Sequence, residues 1–335
     1  MPFPWESRLS GLSAKEYKGA AWYQRSIEIP ADWADSPPED GPLQWRLKPY
    51  LCFGAVDWHA RVWVNGRFVG EHSGGYTPFT LNIDRFVQPG QPTTVTVRAY
   101  DACDADTLLG KQTSDWYTPS SGIWQTVWLE GRPAAHLSRL HITPQLEAGK
   151  ATFTVVIRTE PGAEGKTYRL VVTSVDDSFP KVTRQVDSTG EDTEATFDVL
   201  VPNPRAWSPE SPHLYDCTVR LEPEDGPQVA DTITTYFGLR SVSRGRWEDN
   251  PYEYVLLNGK PVYLRGALDQ ALHPDSLHSY PSDDAIRADV QAAKDLGLNM
   301  LRCHIKLNNT PTKVGGFERA TESRDTGPRP VSSPF

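Results

Sequence analysis

The stretch Ala60-Arg61-Val62-Trp63-Val64-Asn65-Gly66-Arg67-Phe68-Val69-Gly70 decides the fold. Apolar and polar residues alternate on the way into Asn65-Gly66, the pattern of a strand with one buried face. Asn-Gly supplies the two positive-φ positions that a type I′ turn needs, so the stretch predicts a β-hairpin. The same alternation recurs on both sides of it. Trp22–Pro30 and Thr93–Tyr100 read as strands, and in the second Val95, Val97 and Ala99 share one face. Residues 31–42 are rich in Pro, Asp and Glu and read as an exposed loop. No helical period of useful length appears between residues 20 and 132. A double-sheet jelly roll is therefore expected over residues 1–132.

Residues 133–240 repeat the theme with a different spacing. Thr152–Thr159, Thr167–Val175, Thr193–Val201, Tyr215–Glu222 and Asp231–Tyr236 are strand candidates between Gly, Pro and Asp turns. About seven short strands in about 100 residues predict an immunoglobulin-like sandwich. No Cys…Trp…Cys pattern marks an antibody-type domain.

After residue 240 the grammar changes. Asn258-Gly259 predicts another hairpin turn, and Val262-Tyr263-Leu264-Arg265-Gly266 a short buried strand. Ser282 caps a helix with Asp283 and Asp284 in its first turn, where acidic groups suit the helix dipole. Ile286, Val290 and Ala293 fall on one helical face, and Gly297 closes the helix as the residue beyond its C-cap. Asn299–Ile305 reads as a second buried strand. Strand, helix, strand implies a parallel pair over residues 241–307, the opening of a (β/α)₈ barrel or of a doubly wound sheet. Residues 308–335 lose all period and are expected to be a disordered tail.

The chain has 335 residues, room for two or three domains at about 100–200 residues each. Its formal charge is −9, which disfavours a phosphate backbone, so no nucleic-acid partner is expected. No apolar run of membrane-spanning length exists, and none of the four cysteines (Cys52, Cys103, Cys217, Cys303) forms a C-x-x-C. With no secretory leader in view, a cytoplasmic protein with no membrane partner is expected. Eleven Trp against two Met is unusual. A Trp face suits the apolar C–H side of a sugar ring, and equally suits a sandwich core.

Several runs carry a family resemblance. They are Phe53-Gly54-Ala55-Val56-Asp57-Trp58, then Gly70-Glu71-His72-Ser73-Gly74-Gly75-Tyr76-Thr77-Pro78-Phe79, then Asp115-Trp116-Tyr117-Thr118-Pro119-Ser120-Ser121-Gly122-Ile123-Trp124-Gln125. Tyr236–Arg240, Leu257–Val262, Arg265-Gly266 and Leu298–Arg302 follow in order. Together they resemble glycoside hydrolase family 2, the β-galactosidases, β-glucuronidases and β-mannosidases, over roughly residues 15–307. The resemblance implies a jelly-roll sugar-binding domain, an immunoglobulin-like sandwich and a TIM barrel. It also implies retaining hydrolysis of a β-glycosidic bond by two carboxyl groups about 5–5.5 Å apart. In the family these are Glu residues near barrel strands four and seven. A barrel takes about 250 residues, so neither falls on a residue of this chain, and no catalytic residue is assigned. Asp176-Asp177 reads as a turn and Asp283-Asp284 as a helix start, not as substitutes.

The resemblance implies substrate-contact candidates one by one. Asp115 would accept from a sugar hydroxyl or cap a turn. Trp116 would stack on sugar or fill the sandwich. Arg265 and His304 would lie near the C-terminal ends of two barrel strands, where barrel sites form. Asp269 would face the same cleft or cap its loop. No cofactor and no metal site are expected; His59, His72 and His273 lack ligand spacing. A carbohydrate is the expected partner, with a homo-oligomer left open. No basic cluster stands out to hold a uronate, so a neutral sugar such as galactose is preferred. Three readings follow: a β-galactosidase-like enzyme seen in its N-terminal part and inactive alone, a non-catalytic carbohydrate-binding or assembly module of two sandwiches, and an inert truncated product.

Overall fold

The structure, a computed structural model, describes residues 3–15, 17–34, 46–102, 117–159, 164–224, 230–270, 272–304 and 318–319. The chain forms two compact units. The first is built from Met1–Gly131 and the segment beginning at Arg265, the second mainly from Arg132–Leu264.

In the first unit, Gly19–Glu28, Pro92–Asp101, His59–Val64 and Arg67–Ser73 form an antiparallel sheet in that spatial order. A second sheet orders Phe79–Asn82, Lys48–Phe53 and Val127–Arg132. Val62, Val95 and Val97 from one sheet and Leu51, Phe53 and Val127 from the other share one core. The expected turn forms, with Asn65 at φ 50° and Gly66 at φ 76°. The Asn65 side chain explains why Asn suits the first position. Its amide donates to Phe86 O and its oxygen accepts from Thr94 N–H, both at 2.9 Å.

The second unit holds a seven-strand sandwich. His136–Gln145, Lys150–Arg158 and Asp192–Leu200 form one sheet; Val182–Asp187, Thr167–Ser174, Tyr215–Pro223 and Asp231–Phe237 form the other, with Glu318–Arg319 alongside the last. Phe153, Leu170, Tyr215 and Ile157 are fully buried in its core. Of these strands, His136–Gln145 and Val182–Asp187 carry no clear alternating signal. Buried Asp231 accepts the Leu137 N–H at 2.8 Å, and so ties the unpatterned strand to the opposite sheet. Asn258 (φ 51°) and Gly259 (φ 75°) turn the strand Glu253–Leu257 onto Lys260–Pro261, as expected. Asp176-Asp177 is a turn: the Asp176 carboxylate accepts from Ser174 Oγ at 2.7 Å and Asp177 sits at φ 59°.

The segment after Arg265 corrects the sequence reading. The first strand is Gly266–Asp269, not Val262–Gly266, and Tyr263 is 83% exposed. Met300–Cys303 pairs with it in parallel, Gly266 opposite Met300 and Asp269 opposite Cys303. Neither strand is buried as expected: Gly266–Leu268 and Met300–Cys303 are exposed. The reason is that among the described residues the two strands form a sheet of their own with no further strand beside them, whereas the apolar run presumes a covered sheet. The helix Asp283–Asp295 between them is capped as expected, Ser282 Oγ accepting from Ala285 N–H at 3.2 Å, and Gly297 follows at φ 75°. Its Val290 is 47% exposed. Of residues 308–335 only Glu318–Arg319 are described; the expected tail otherwise lies outside the described residues.

Candidate functional site

The run Ser121-Gly122-Ile123-Trp124 is the structural centre of the first unit. Ser121 is buried; its N–H and Oγ both donate to the Glu6 carboxyl, at 3.0 and 2.6 Å. Gly122 sits at φ 83°, pressed against Tyr23 Oη and the Trp5 ring. Ile123 is in the core, and its N–H donates to Tyr23 Oη at 3.3 Å. Trp124 is 1% exposed and donates Nε1–H to Gly75 O at 2.7 Å. Gly75 in turn lies directly on the buried Asp57 carboxyl, where a Cβ would overlap it. Trp124 also packs on Tyr76 and His278 at centroid distances of 5.5 and 6.1 Å, and its carbonyl accepts from Ser279 Oγ. The run therefore locks together the N-terminal segment, the Gly74-Gly75 loop and residues 276–279, which lead into the helix.

Burial pushes the Glu6 carboxyl up to about 7, with the Asp101 charge adding to it and the two Ser121 bonds opposing it. Tyr23 is pushed up to about 12, mainly by burial.

The C-terminal ends of the two parallel strands form the other cluster. Asp269 ends the first strand and its carbonyl accepts the His304 N–H at 2.9 Å, so these two predicted residues meet. Gln270 Oε1 accepts from Tyr117 Oη at 3.0 Å. Tyr280 Oη donates to Asp289 Oδ2 at 2.7 Å and its ring packs on His273 at 5.8 Å. Burial raises the Tyr280 hydroxyl, and the nearby carboxylates of Asp289 and Asp269 raise it further. Arg265 is not at this end. It precedes Gly266, at the N-terminal end of the strand, where its N–H donates to Asn299 Oδ1 at 2.8 Å and its carbonyl accepts from Asn299 N–H at 2.9 Å. The misplacement follows from the strand starting four residues later than Val262. A four-residue strand separates its ends by about 10 Å. Asp115 and Trp116 lie outside the described residues. The first described residue after them, Tyr117, is the one bonded to Gln270.

Sequence reasoning missed Tyr117, Gln270 and Tyr280. Tyr117 carries a usable signal, adjacency to Asp115-Trp116; the other two show none. The set offers hydroxyl, amide and carboxylate groups suited to hydrogen-bonding a polyol. Among the described residues no group of three His, Cys, Asp or Glu is placed to hold a metal ion, and no helix is long and apolar enough to cross a membrane.

Residues 135–240 match the family Glycosyl hydrolases family 2, and residues 8–133 match Glycosyl hydrolases family 2, sugar binding domain. The chain is 25% identical over 312 residues to a β-galactosidase of Thermoanaerobacter pseudethanolicus, covering 92% of this chain and 39% of that protein. It is 28% identical over 305 residues to a putative β-glucuronidase of Formosa agariphila, covering 90% of this chain and 34% of that protein. It is similar to the crystal structure of a GH2 β-galacturonidase from Eisenbergiella tayi bound to glycerol, with a TM-score of 0.72 and 26% identity over 92% of this chain and 49% of that one. The chain thus spans well under half of the two curated relatives' length.

Proposed function

Since the chain belongs to glycosyl hydrolases family 2, through its sugar-binding domain and the domain after it, we propose that it is the N-terminal part of a β-galactosidase-like retaining glycosidase. In this reading the first sandwich is a jelly roll and the parallel pair with its helix is the opening of a catalytic barrel. The observation that carries it is the meeting of Asp269 and His304 at the C-terminal strand ends, where barrel sites form. Tyr117 and Gln270 border that end and would position a sugar hydroxyl, while Arg265 at the far end would support the strand start. The acceptor-rich set of Asp269, Gln270 and Tyr117 favours a neutral sugar such as galactose.

In this reading neither carboxyl that the family resemblance implies falls on a residue of 1–335, so these residues are expected to support binding and not bond cleavage. Purified chain should give no turnover of nitrophenyl β-galactoside, β-glucuronide or β-mannoside. Hydrolysis above a vector-only preparation would overturn the assignment of a non-catalytic part. Joining residues 1–304 to the part of the T. pseudethanolicus relative that follows the matched region should give β-galactoside hydrolysis, and lowering of that activity by Asp269→Ala and His304→Ala would support a place for both in the cleft. A folded chimera whose activity is indifferent to both would remove them.

A further inference from the structure

The outer face of the four-stranded sheet carries a second feature, on the opposite side of its strands from the core. Its inner face is apolar, with Ala60, Val62, Val64, Val95, Val97 and Ala99 at most 1% exposed. Strand alternation therefore sends their neighbours outward. The register aligns these in two cross-strand rows. Trp22 lies opposite Arg98, Arg98 opposite Arg61, and Arg61 opposite Glu71. Two positions along, Gln24 lies opposite Thr96, Thr96 opposite Trp63, and Trp63 opposite Phe68.

The side chains form one aromatic array. Trp22 and Trp63 rings are 5.4 Å apart and tilted by 31°. Phe68 meets Trp63 edge-on at 5.8 Å. Arg61 lies over both, its Cζ 5.4 Å from Trp63 and 5.0 Å from Phe68, and pairs with Glu71 at 3.2 Å. Cross-strand packing alone accounts for Trp63 and Phe68. It does not account for Trp22, which remains 62% exposed, the large apolar surface least expected on a sheet exterior. Nor does it account for Arg98, which lies over Tyr100 at 5.2 Å and faces no carboxylate within ion-pairing distance among the described residues.

We propose that this face binds a carboxylate-bearing polysaccharide, with Trp22 and Trp63 stacking on the apolar faces of its sugar rings and Arg98 holding a carboxylate. A flat indole presents the broad apolar surface that a pyranose C–H face matches. A guanidinium matches a carboxylate bidentately and is less tightly hydrated than an ammonium, so it releases water readily. The charge is local: a chain of net charge −9 repels polyanions on average, yet here Arg61 is paired with Glu71 and Arg98 beside it adds one positive charge to the face. A second copy of the chain fits poorly, because a two-fold pairing of this face offers Arg98 no carboxylate beyond the Glu71 already paired with Arg61. Single-stranded nucleic acid carries a charge at every nucleotide and needs a longer cationic track than Arg98 supplies. The inference does not rest on the strand-end cleft: polysaccharide retention and glycoside hydrolysis are separate readouts, and either can fail alone.

The test is native affinity electrophoresis of the full chain in gels containing polygalacturonate, hydroxyethyl cellulose or no polymer. Polygalacturonate should retard the chain and hydroxyethyl cellulose should not. Trp22→Ala should weaken retardation about tenfold, as loss of an aromatic anchor does. Trp22→Phe should retain most of it, and Arg98→Gln should weaken it and remove its salt dependence. Because Trp22 and Arg98 lie outside the core, unchanged circular dichroism and melting should accompany each variant. Equal retardation by the neutral polymer, indifference to Trp22→Ala, tighter binding of an oligothymidylate, or a dimer that Trp22→Ala dissociates would each overturn the proposal.

Discussion

Gly122→Ala is expected to destabilise the first unit by about 3–5 kcal/mol, enough to abolish its cooperative folding or nearly so. Two penalties act together. The residue sits at φ 83°, a conformation that costs an alanine about 1 kcal/mol. The added Cβ would overlap Tyr23 Oη and the ring of Trp5, which is 2% exposed, and neither has room to retreat. Gly66→Ala separates the two. Its φ is 76° but nothing lies within 4 Å of the new atom, so only the backbone penalty of about 1 kcal/mol applies. Denaturant unfolding followed by tryptophan fluorescence should show a large loss for the first variant and a small one for the second. Equal losses would mean that the tight fit at Gly122 has been misread.

The second large effect is a fall in stability as pH rises from about 5 to 8. Folded Glu6 holds its proton up to about 7, against an ordinary value of 4.5. Between those values the folded chain binds more protons than the unfolded one, so its stability must decrease with rising pH. The contribution is fully present below pH 4.5 and is lost as pH passes 7, by on the order of 3 kcal/mol. The sign is opposite to that of Asp192, whose carboxyl is held low by its hydrogen bond to Arg158 and whose contribution fades only in acid. The two windows are therefore separable. Glu6→Gln keeps an acceptor for the Ser121 N–H and cannot ionise, so its melting temperature should no longer fall from pH 5 to 8. A wild-type curve that is flat in this window, or a variant curve that falls in parallel, would remove Glu6 as the cause.

How much of this is legible in the sequence depends on distance along the chain. The Asn65-Gly66 and Asn258-Gly259 turns need only two adjacent residues, and both form as read. The Ser282 cap and the Gly297 stop are local in the same way. Val262–Leu264 is a misreading with a physical cause: an apolar run signals burial only if neighbouring elements cover it, and periodicity cannot report what the neighbours are. Arg265 falls at the N-terminal strand end because the strand begins at Gly266 and not at Val262. The Glu6–Ser121 pair spans 115 positions and the Trp22–Trp63 contact depends on a register shared through a third strand. Nothing in either residue's neighbourhood announces such partners. Tyr117 and Gln270 meet across 153 positions, so the strand-end cluster was only half visible.

The first unit is interrupted in sequence: it leaves off at Gly131 and resumes at Arg265. This sets an order of assembly. Trp124 emerges from the ribosome long before Ser279, its partner 155 positions later, and before His278, which packs on its ring. Until then the signature tryptophan lacks part of its cover, and a nascent chain would be open there to chaperones. Closing so long a loop carries an entropic cost, and the second unit, mainly Arg132–Leu264, lies within it in sequence. The cover of Trp124 is thus completed by residues made after the whole of the second unit, and a chain ended before Arg265 should leave Trp124 more open to an aqueous quencher than the full chain.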